Sequence, residues 1–366
     1  MQTQRTILWV IFTMSLLFLW DAWQRDQGRP SLFGGQNAAT ATKPDAAPGS
    51  AASGAVPAPA ATDKSIPQVG SAAVPSAVPP TGAAAPASAV PAVRLSNDLL
   101  SIDIDPVGGE IQRAELLKYR DTIDTAANVV LLNERPGYTY LAQMGLIGPQ
   151  GTSYPNHRTT FTVEPGPREL AAGKDEVSAT LVAESGGVKV VRRYLLKRGS
   201  YVVQTTSDVI NTGEVPVKPT QYLQLTRDGN APAGESHFVS TYTGPVVYTD
   251  TDKFQKVDFA SIEKGKPTHT KSANDGWAGM IQHYFVSAWI PTDKTPREYF
   301  TRKVDTNLYS VGVLEPLKEL APGADQTVTA QLLVGPTDQK MLEEVAPGLD
   351  LSVDYGWLAV FAKPLF

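Results

Sequence analysis

Four histidines, His157, His237, His269 and His283, are the side chains with the widest chemical range in this sequence. None has the HExxH spacing that lets one helix face present two imidazoles to a zinc ion. With no cysteine, thiolate chemistry, disulfides, Cys-ligated zinc and a lipid anchor on Cys are excluded. Gly108 and Gly109, in PVGGEI, sit in a hairpin rather than between a strand and a helix, which makes a poor phosphate loop. There is no GxSxG nucleophile elbow. Carboxylates are abundant, and solvated surface is the expected place for each. These residues predict no catalytic group, no metal and no cofactor.

The densest run of unusual side chains is NDGWAGMIQHYFVSAWIP, from Asn274 to Pro291. Trp277, Tyr284, Phe285 and Trp289 fit a strand packed in a core, or an exposed aromatic surface that meets a membrane or a partner. His283, among them, reads as a hydrogen-bonded structural histidine. A second apolar run closes the sequence, VDYGWLAVFAKPLF, with Tyr355, Trp357 and Phe361 and only Asp354 and Lys363 as charges. Pro364 suits the first position of a further helix, where its missing N–H costs nothing.

The elements that must position these residues follow from periodicity. Leu100, Ile102 and Ile104 alternate with Ser101, Asp103 and Asp105, the period of a half-buried strand. From Val177 to Val217 three β-branched runs are punctuated by Gly186-Gly187, Arg198-Gly199 and Asn211-Thr212-Gly213, the chemistry of hairpin turns. Similar strands are expected around GPVVYTD, REYFTRKV, NLYSVGVL and DQTVTAQLLVG. The prediction is one large antiparallel sandwich over 93–336. A helix is expected only at the end, with Met341, Leu342 and Val345 on one stripe, Asp338 in its first turn and Pro347-Gly348 as its stop. The last section, 337–366, reads as this closing helix followed by the start of a membrane-interfacial segment.

The beginning differs. Thr6 to Trp23 is an apolar run of about 18 residues, roughly 27 Å as a helix, close to the hydrocarbon thickness of a bilayer. Bulky or charged residues follow it where a small-x-small cleavage site would stand, so residues 1–24 read as an uncleaved anchor. Trp20 and Trp23 suit the membrane–water interface. Residues 25–92 are rich in Ala, Pro, Gly, Ser and Thr, with too little apolar bulk to offset the entropy of ordering, and read as a disordered linker. The formal charge is −5, from 32 basic and 37 acidic residues without a basic cluster, so nucleic acid is not an expected partner.

In QRTILWVIFTMSLLFLWDAWQRD, LLKRGSYVV, DGWAGMIQHYFVSAWIP and VAPGLDLSVDYGWLAVFAKPLF the chain resembles the N-terminal portion of the YidC/Oxa1/Alb3 family of membrane protein insertases. The likeness covers all but the linker. It implies a β-supersandwich of galactose mutarotase-like type, closed by a short helix and preceded by one transmembrane helix. It implies an inner-membrane protein with a cytoplasmic N-terminus and a periplasmic bulk. Expected partners are the Sec translocon and its accessory subunits, nascent inner-membrane proteins and the lipid bilayer.

The family's insertase groove would lie beyond residue 366, so the chain is expected to be part of an insertase rather than an enzyme. Trp20, Trp23, Met341, Leu342, Val345, Asp354, Tyr355, Trp357 and Phe361 are the residues expected at the membrane or against the insertase core. Two other readings stand beside this one: an anchored periplasmic chaperone, and a carbohydrate-binding or mutarotase-like domain, which would need a His/Glu acid–base pair that no motif marks.

Overall fold

The computed structural model describes residues 63–68, 91–232 and 241–353. Strands run from β1 (Val93–Ser96) to β18 (Asp325–Pro336), and they form two nine-stranded sheets among the described residues. Pairing within both is antiparallel. The first sheet has the order β1, β2 (Leu100–Ile104), β3 (Ile111–Arg120), β4 (Asn128–Arg135), β5 (Tyr138–Ile147), β10 (Thr220–Asp228), β17 (Leu308–Pro316), β16 (Arg297–Asp305), β13 (Ser272–Ala273). The second has the order β12 (Lys253–Lys256), β11 (Gly244–Thr249), β14 (Trp277–Gln282), β15 (Phe285–Pro291), β18, β9 (Val202–Asn211), β8 (Val188–Lys197), β7 (Glu176–Ser185), β6 (Thr162–Val163).

In the second sheet, β7 (Glu176–Ser185), β8 (Val188–Lys197) and β9 (Val202–Asn211) alternate buried and accessible residues along their length. Val177, Leu181, Val188, Val190, Leu196, Val203 and Val209 take the buried face, and most of the Lys, Glu and Gln residues take the other, which also carries Val191 and Ile210. That is the period-two pattern of a sheet with one wet face. The turns between them carry Gly186, Gly187 and Gly199 at positive φ.

The centre of the first sheet behaves differently. Nearly every residue of β5 (Tyr138–Ile147), β10 (Thr220–Asp228) and β17 (Leu308–Pro316) is buried. On β10 the inner residues Leu223 and Leu225 join the main core. The alternate residues Tyr222, Gln224 and Thr226 point to the opposite face, and they too are buried. In register beside them stand Gln143 and Gly145 of β5 and Gly312 of β17. Beyond Gly312 lies Phe300 of β16 (Arg297–Asp305). The strip is polar, so something other than a third apolar layer covers it.

Two large aromatic residues link the sheets and the end of the chain. Trp289, on β15 (Phe285–Pro291), is 1% exposed, and its indole N–H donates to the Gln224 carbonyl at 3.0 Å. Trp277, on β14 (Trp277–Gln282), stacks on Tyr248 at 5.8 Å and donates to the Pro347 carbonyl at 3.0 Å. Each buries a large apolar area and satisfies its single donor.

A helix, α1 (Phe259–Glu263), precedes the expected terminal one, so the expectation of a helix only at the end is corrected. Its sequence is too short for a helical period to be read. The Asp258 side chain stops the chain extending by accepting from the Ser261 N–H at 2.7 Å.

The terminal helix, α2 (Gln339–Val345), starts one residue later than a first-turn Asp338 requires. Asp338 is its N-cap and accepts from the Met341 N–H at 3.0 Å. Leu342 is fully buried, and Met341 and Val345 pack against the main core. The chain then turns through Gly348 at φ +75, where an added Cβ would lie 2.1 Å from the Tyr248 ring.

Candidate functional site

The covered polar strip is the candidate site. Its floor is a directional chain of amides on neighbouring strands. Gln224 donates to the Gln143 Oε1 at 2.7 Å, and Gln143 donates in turn to the Glu110 carboxyl at 2.7 Å. Thr226 adds its hydroxyl to the Gln143 oxygen at 2.9 Å. From the other side Arg302 donates to the Gln224 Oε1 at 2.9 Å and to the Ser310 hydroxyl at 3.1 Å. The pleat puts these groups on one face, because Gln143, Gln224 and Gly312 are aligned partners in the ladder. Gly312 keeps the strip low: a Cβ there would meet the Gln224 Cβ at 2.9 Å.

One wall is the loop that carries His157. It is pinned to the turn between β2 (Leu100–Ile104) and β3 (Ile111–Arg120), where the Gly108 N–H donates to Thr159 at 2.7 Å. Gly108 has φ +87, and a Cβ on it would stand 2.4 Å from the His157 carbonyl oxygen, so this approach requires glycine. Arg192 and Tyr194 hold the same turn through the Gly108 and Gly109 carbonyls. The Tyr222 hydroxyl accepts from the His157 backbone N–H at 3.0 Å and meets its ring Nδ1 at 2.5 Å.

What covers the strip is Asp63–Gln68, a piece of the stretch that composition assigns to a linker. Its Ser65 carbonyl accepts from Gln224 at 3.0 Å and from Arg302 at 2.5 Å. The Ser65 hydroxyl donates to Asp63 at 2.6 Å and lies 2.8 Å from His157 Nε2. One proton arrangement satisfies all of these: Tyr222 donates to Nδ1, and a neutral imidazole donates from Nε2 to Ser65. Ile66 packs against the cluster of Ile147, Tyr222 and Leu314, which Phe300 also flanks, an apolar pocket beside the polar strip. Asp63 is paired with Arg158 at 2.9 Å, and Pro67 is buried.

Burial sets the charge states. It is the largest influence on His157, aided by the nearby Arg158, and it lowers the imidazole pKa to about 3. His157 is therefore neutral at ordinary pH and a weak base. Glu110 is pushed up to about 7 by burial, with Glu134 and Asp105 adding repulsion against the opposing Gln143 hydrogen bond. Arg302 is lowered to about 10 by burial and still carries its charge at neutral pH. A His and a Glu, the residue types that a mutarotase-like reading needs, are both present, but Gln143, Gln224 and Ser65 stand between them in the network, and both imidazole nitrogens are engaged. The arrangement suits recognition of a polypeptide better than proton transfer.

The other residues singled out from sequence lie elsewhere. Trp277 and Trp289 are core residues, Phe285 is half-buried against Tyr119 at 5.7 Å, and Tyr284 is 65% exposed. Met341, Leu342 and Val345 turn inward on the sandwich. His269 is buried, at 3.0 Å from the Thr301 hydroxyl. Trp20, Trp23, Asp354, Tyr355, Trp357, Phe361 and His237 lie outside the described residues, as does the expected anchor. No helix among the described residues is long and apolar enough to cross a membrane. Glu110, Gln143, Gln224 and Arg302 carry no motif in the sequence. The one signal that points to them is a central strand, TQYLQLTRD, with polar residues at alternate positions where a core strand would have apolar ones.

Comparison with known proteins gives the relationship. Membrane protein insertase YidC from Janthinobacterium sp. (strain Marseille) is 48% identical over 366 residues, all of this chain and 63% of that protein. The insertase of the same name from Cupriavidus necator is 46% identical over 370 aligned positions, again with 63% of its length covered. The chain thus spans under two thirds of these relatives. Among solved structures, a galactose mutarotase related enzyme from Lactobacillus acidophilus aligns with 66% of this chain and 96% of its own, at TM-score 0.44 and 12% identity. Residues 92–366 match the family described as the YidC periplasmic domain, and the chain belongs to that family.

Proposed function

We propose that this chain is the anchored periplasmic part of a membrane protein insertase, a non-enzymatic component that assists integral membrane proteins into the bilayer and toward their fold. The observation that carries this is the identity of 48% along the whole chain with a relative named as such an insertase. In this reading Thr6–Trp23 spans the inner membrane with the N-terminus in the cytoplasm, and Trp20 and Trp23 sit at the interface. Residues 25–92 link the span to the supersandwich. Asp354, Tyr355, Trp357 and Phe361 lead back to the membrane, where the rest of an insertase would lie. Nascent inner-membrane proteins are the clients, and the Sec translocon with its accessory subunits is the neighbouring machine.

Tyr284 offers the test. It is a large exposed aromatic side chain beside Thr337, whose N–H and hydroxyl both donate to the Tyr284 carbonyl at 2.8 and 3.0 Å. A photo-crosslinking amino acid at Tyr284, and separately at Leu351, is expected to give adducts with an inner-membrane protein arrested during synthesis or with translocon subunits. Adducts with neither, from chains shown to be folded and membrane-bound, would reject the reading.

A further inference from the structure

We propose that the cleft on the outer face of the first sheet is a binding site for a short stretch of polypeptide, and that Asp63–Gln68 is its displaceable resident in cis. The ligand class is an acidic residue, a hydroxyl residue two positions on, then an aliphatic residue and proline.

Backbone and side chains of the resident are both read. The Ser65 carbonyl receives two donors, Gln224 and Arg302, and the hydroxyl meets His157. Arg302 is a half-buried cation whose hydrogen bonds go to neutral oxygens, those of Ser65, Gln224 and Ser310. A guanidinium drawn partly out of water needs acceptors, and the peptide carbonyl is one of its three. Ile66 fills an apolar recess next to this polar patch, which fixes the register of the segment. The Asp63 carboxylate accepts from the Ser65 N–H at 2.9 Å and folds the segment into a compact turn.

Composition sets the segment apart from its flanks. Between Gly34 and Ala92, Ile66 is the one residue among Ile, Leu, Met and the aromatics, and Asp63 and Lys64 are two of four charged residues. Nothing local demands the contact, since 22 residues separate Gln68 from Pro91. The Asp63–Arg158 pair is 41% and 47% exposed, so this ion pair adds little to holding the segment in place. A linker of this length holds its ligand at an effective concentration of about 1 mM, which weakens a competing peptide of intrinsic Kd ~10–100 µM by roughly 10- to 100-fold.

The test uses the full chain in detergent micelles and a fluorescein-labelled Asp-Lys-Ser-Ile-Pro-Gln peptide. Ile66→Asp, which puts a carboxylate against the apolar cluster of Ile147, Tyr222 and Leu314, vacates the cleft. The peptide is expected to bind this variant at least tenfold more tightly than the unaltered chain, and adding Arg302→Ala is expected to remove that binding. Equal binding to both chains, or no binding to an Ile66→Asp chain that melts within two or three degrees of the parent (about 1 kcal/mol for a domain of this size), overturns the proposal. A second measurement covers misfolding. The chain has no cysteine, so Ile66→Cys carries a single thiol. Its maleimide labelling is expected to accelerate several-fold with saturating peptide, and an unchanged rate overturns the proposal.

Discussion

Replacing Glu110 by Gln removes a charge while keeping the acceptor oxygen that Gln143 uses. Burial holds the Glu110 carboxyl near pKa 7 in the folded protein, against 4.5 for a free side chain. Below pH 4.5 it is protonated in both states, and the substitution should change little. Between pH 4.5 and 7 the unfolded chain ionises first, the native state retains the proton, and stability falls as pH rises. Above pH 7 the full cost of a buried carboxylate is present. The shift corresponds to about 3 kcal/mol at 1.36 kcal/mol per unit. Because Glu110 retains partial access to solvent, a discount to about 1–2 kcal/mol is appropriate.

The assay is urea unfolding of both chains from pH 4 to 8.5, read by far-UV circular dichroism. The quantity of interest is the difference between variant and parent. His157, whose native pKa near 3 makes stability fall as pH drops below 6.5, and Glu315, raised to about 7 by burial, affect both chains alike and cancel. The Gln variant should gain about 1–2 kcal/mol by pH 8 and nothing at pH 4. An offset independent of pH would refute the reasoning, since it would mean that a hydrogen bond had changed rather than a charge.

Other substitutions probe how the scaffold is held. Asn97 is buried, donates to the Lys197 and Ser200 carbonyls and accepts from the Leu99 and Leu100 N–H groups, so Asn97→Ala should cost about 2–4 kcal/mol in urea unfolding. Trp277→Phe loses the bond to Pro347 and part of the stack on Tyr248, with an expected cost of about 2–3 kcal/mol and faster hydrogen exchange at Leu349 and Ser352. Asp338→Ala removes the N-cap of α2 and should cost about 1 kcal/mol, read as a lowered urea midpoint at unchanged slope.

A barrier to reading the cleft in advance was that its parts come from five places in the chain. Glu110 follows a turn, Gln143 and Gln224 lie on paired strands, His157 is on a loop, and Arg302 is on a later strand. No spacing links them. Only the ladder register, which aligns Gln224 with Gln143 on one side and Gly312 on the other, brings them to one face. Asp63–Gln68 was hidden for another reason: six residues within an Ala/Pro-rich stretch have no period, and their anchors are far away in sequence.

Local chemistry was legible where local physics decides. Alternating side chains on β7, β8 and β9 and the glycines between them specify hairpins, because strand period and turn φ are properties of a few adjacent residues. The apolar stripe of α2 was equally visible, as were the aromatic residues from Trp277 to Trp289. The sequence alone left open which way those aromatics faced. Trp277 and Trp289 pack in the core, where the Pro347 and Gln224 carbonyls satisfy their indole N–H groups, while Tyr284, between them in the chain, is at the surface. Burial on the second face of a sheet depends on what lies over it, and that is set by tertiary contacts alone.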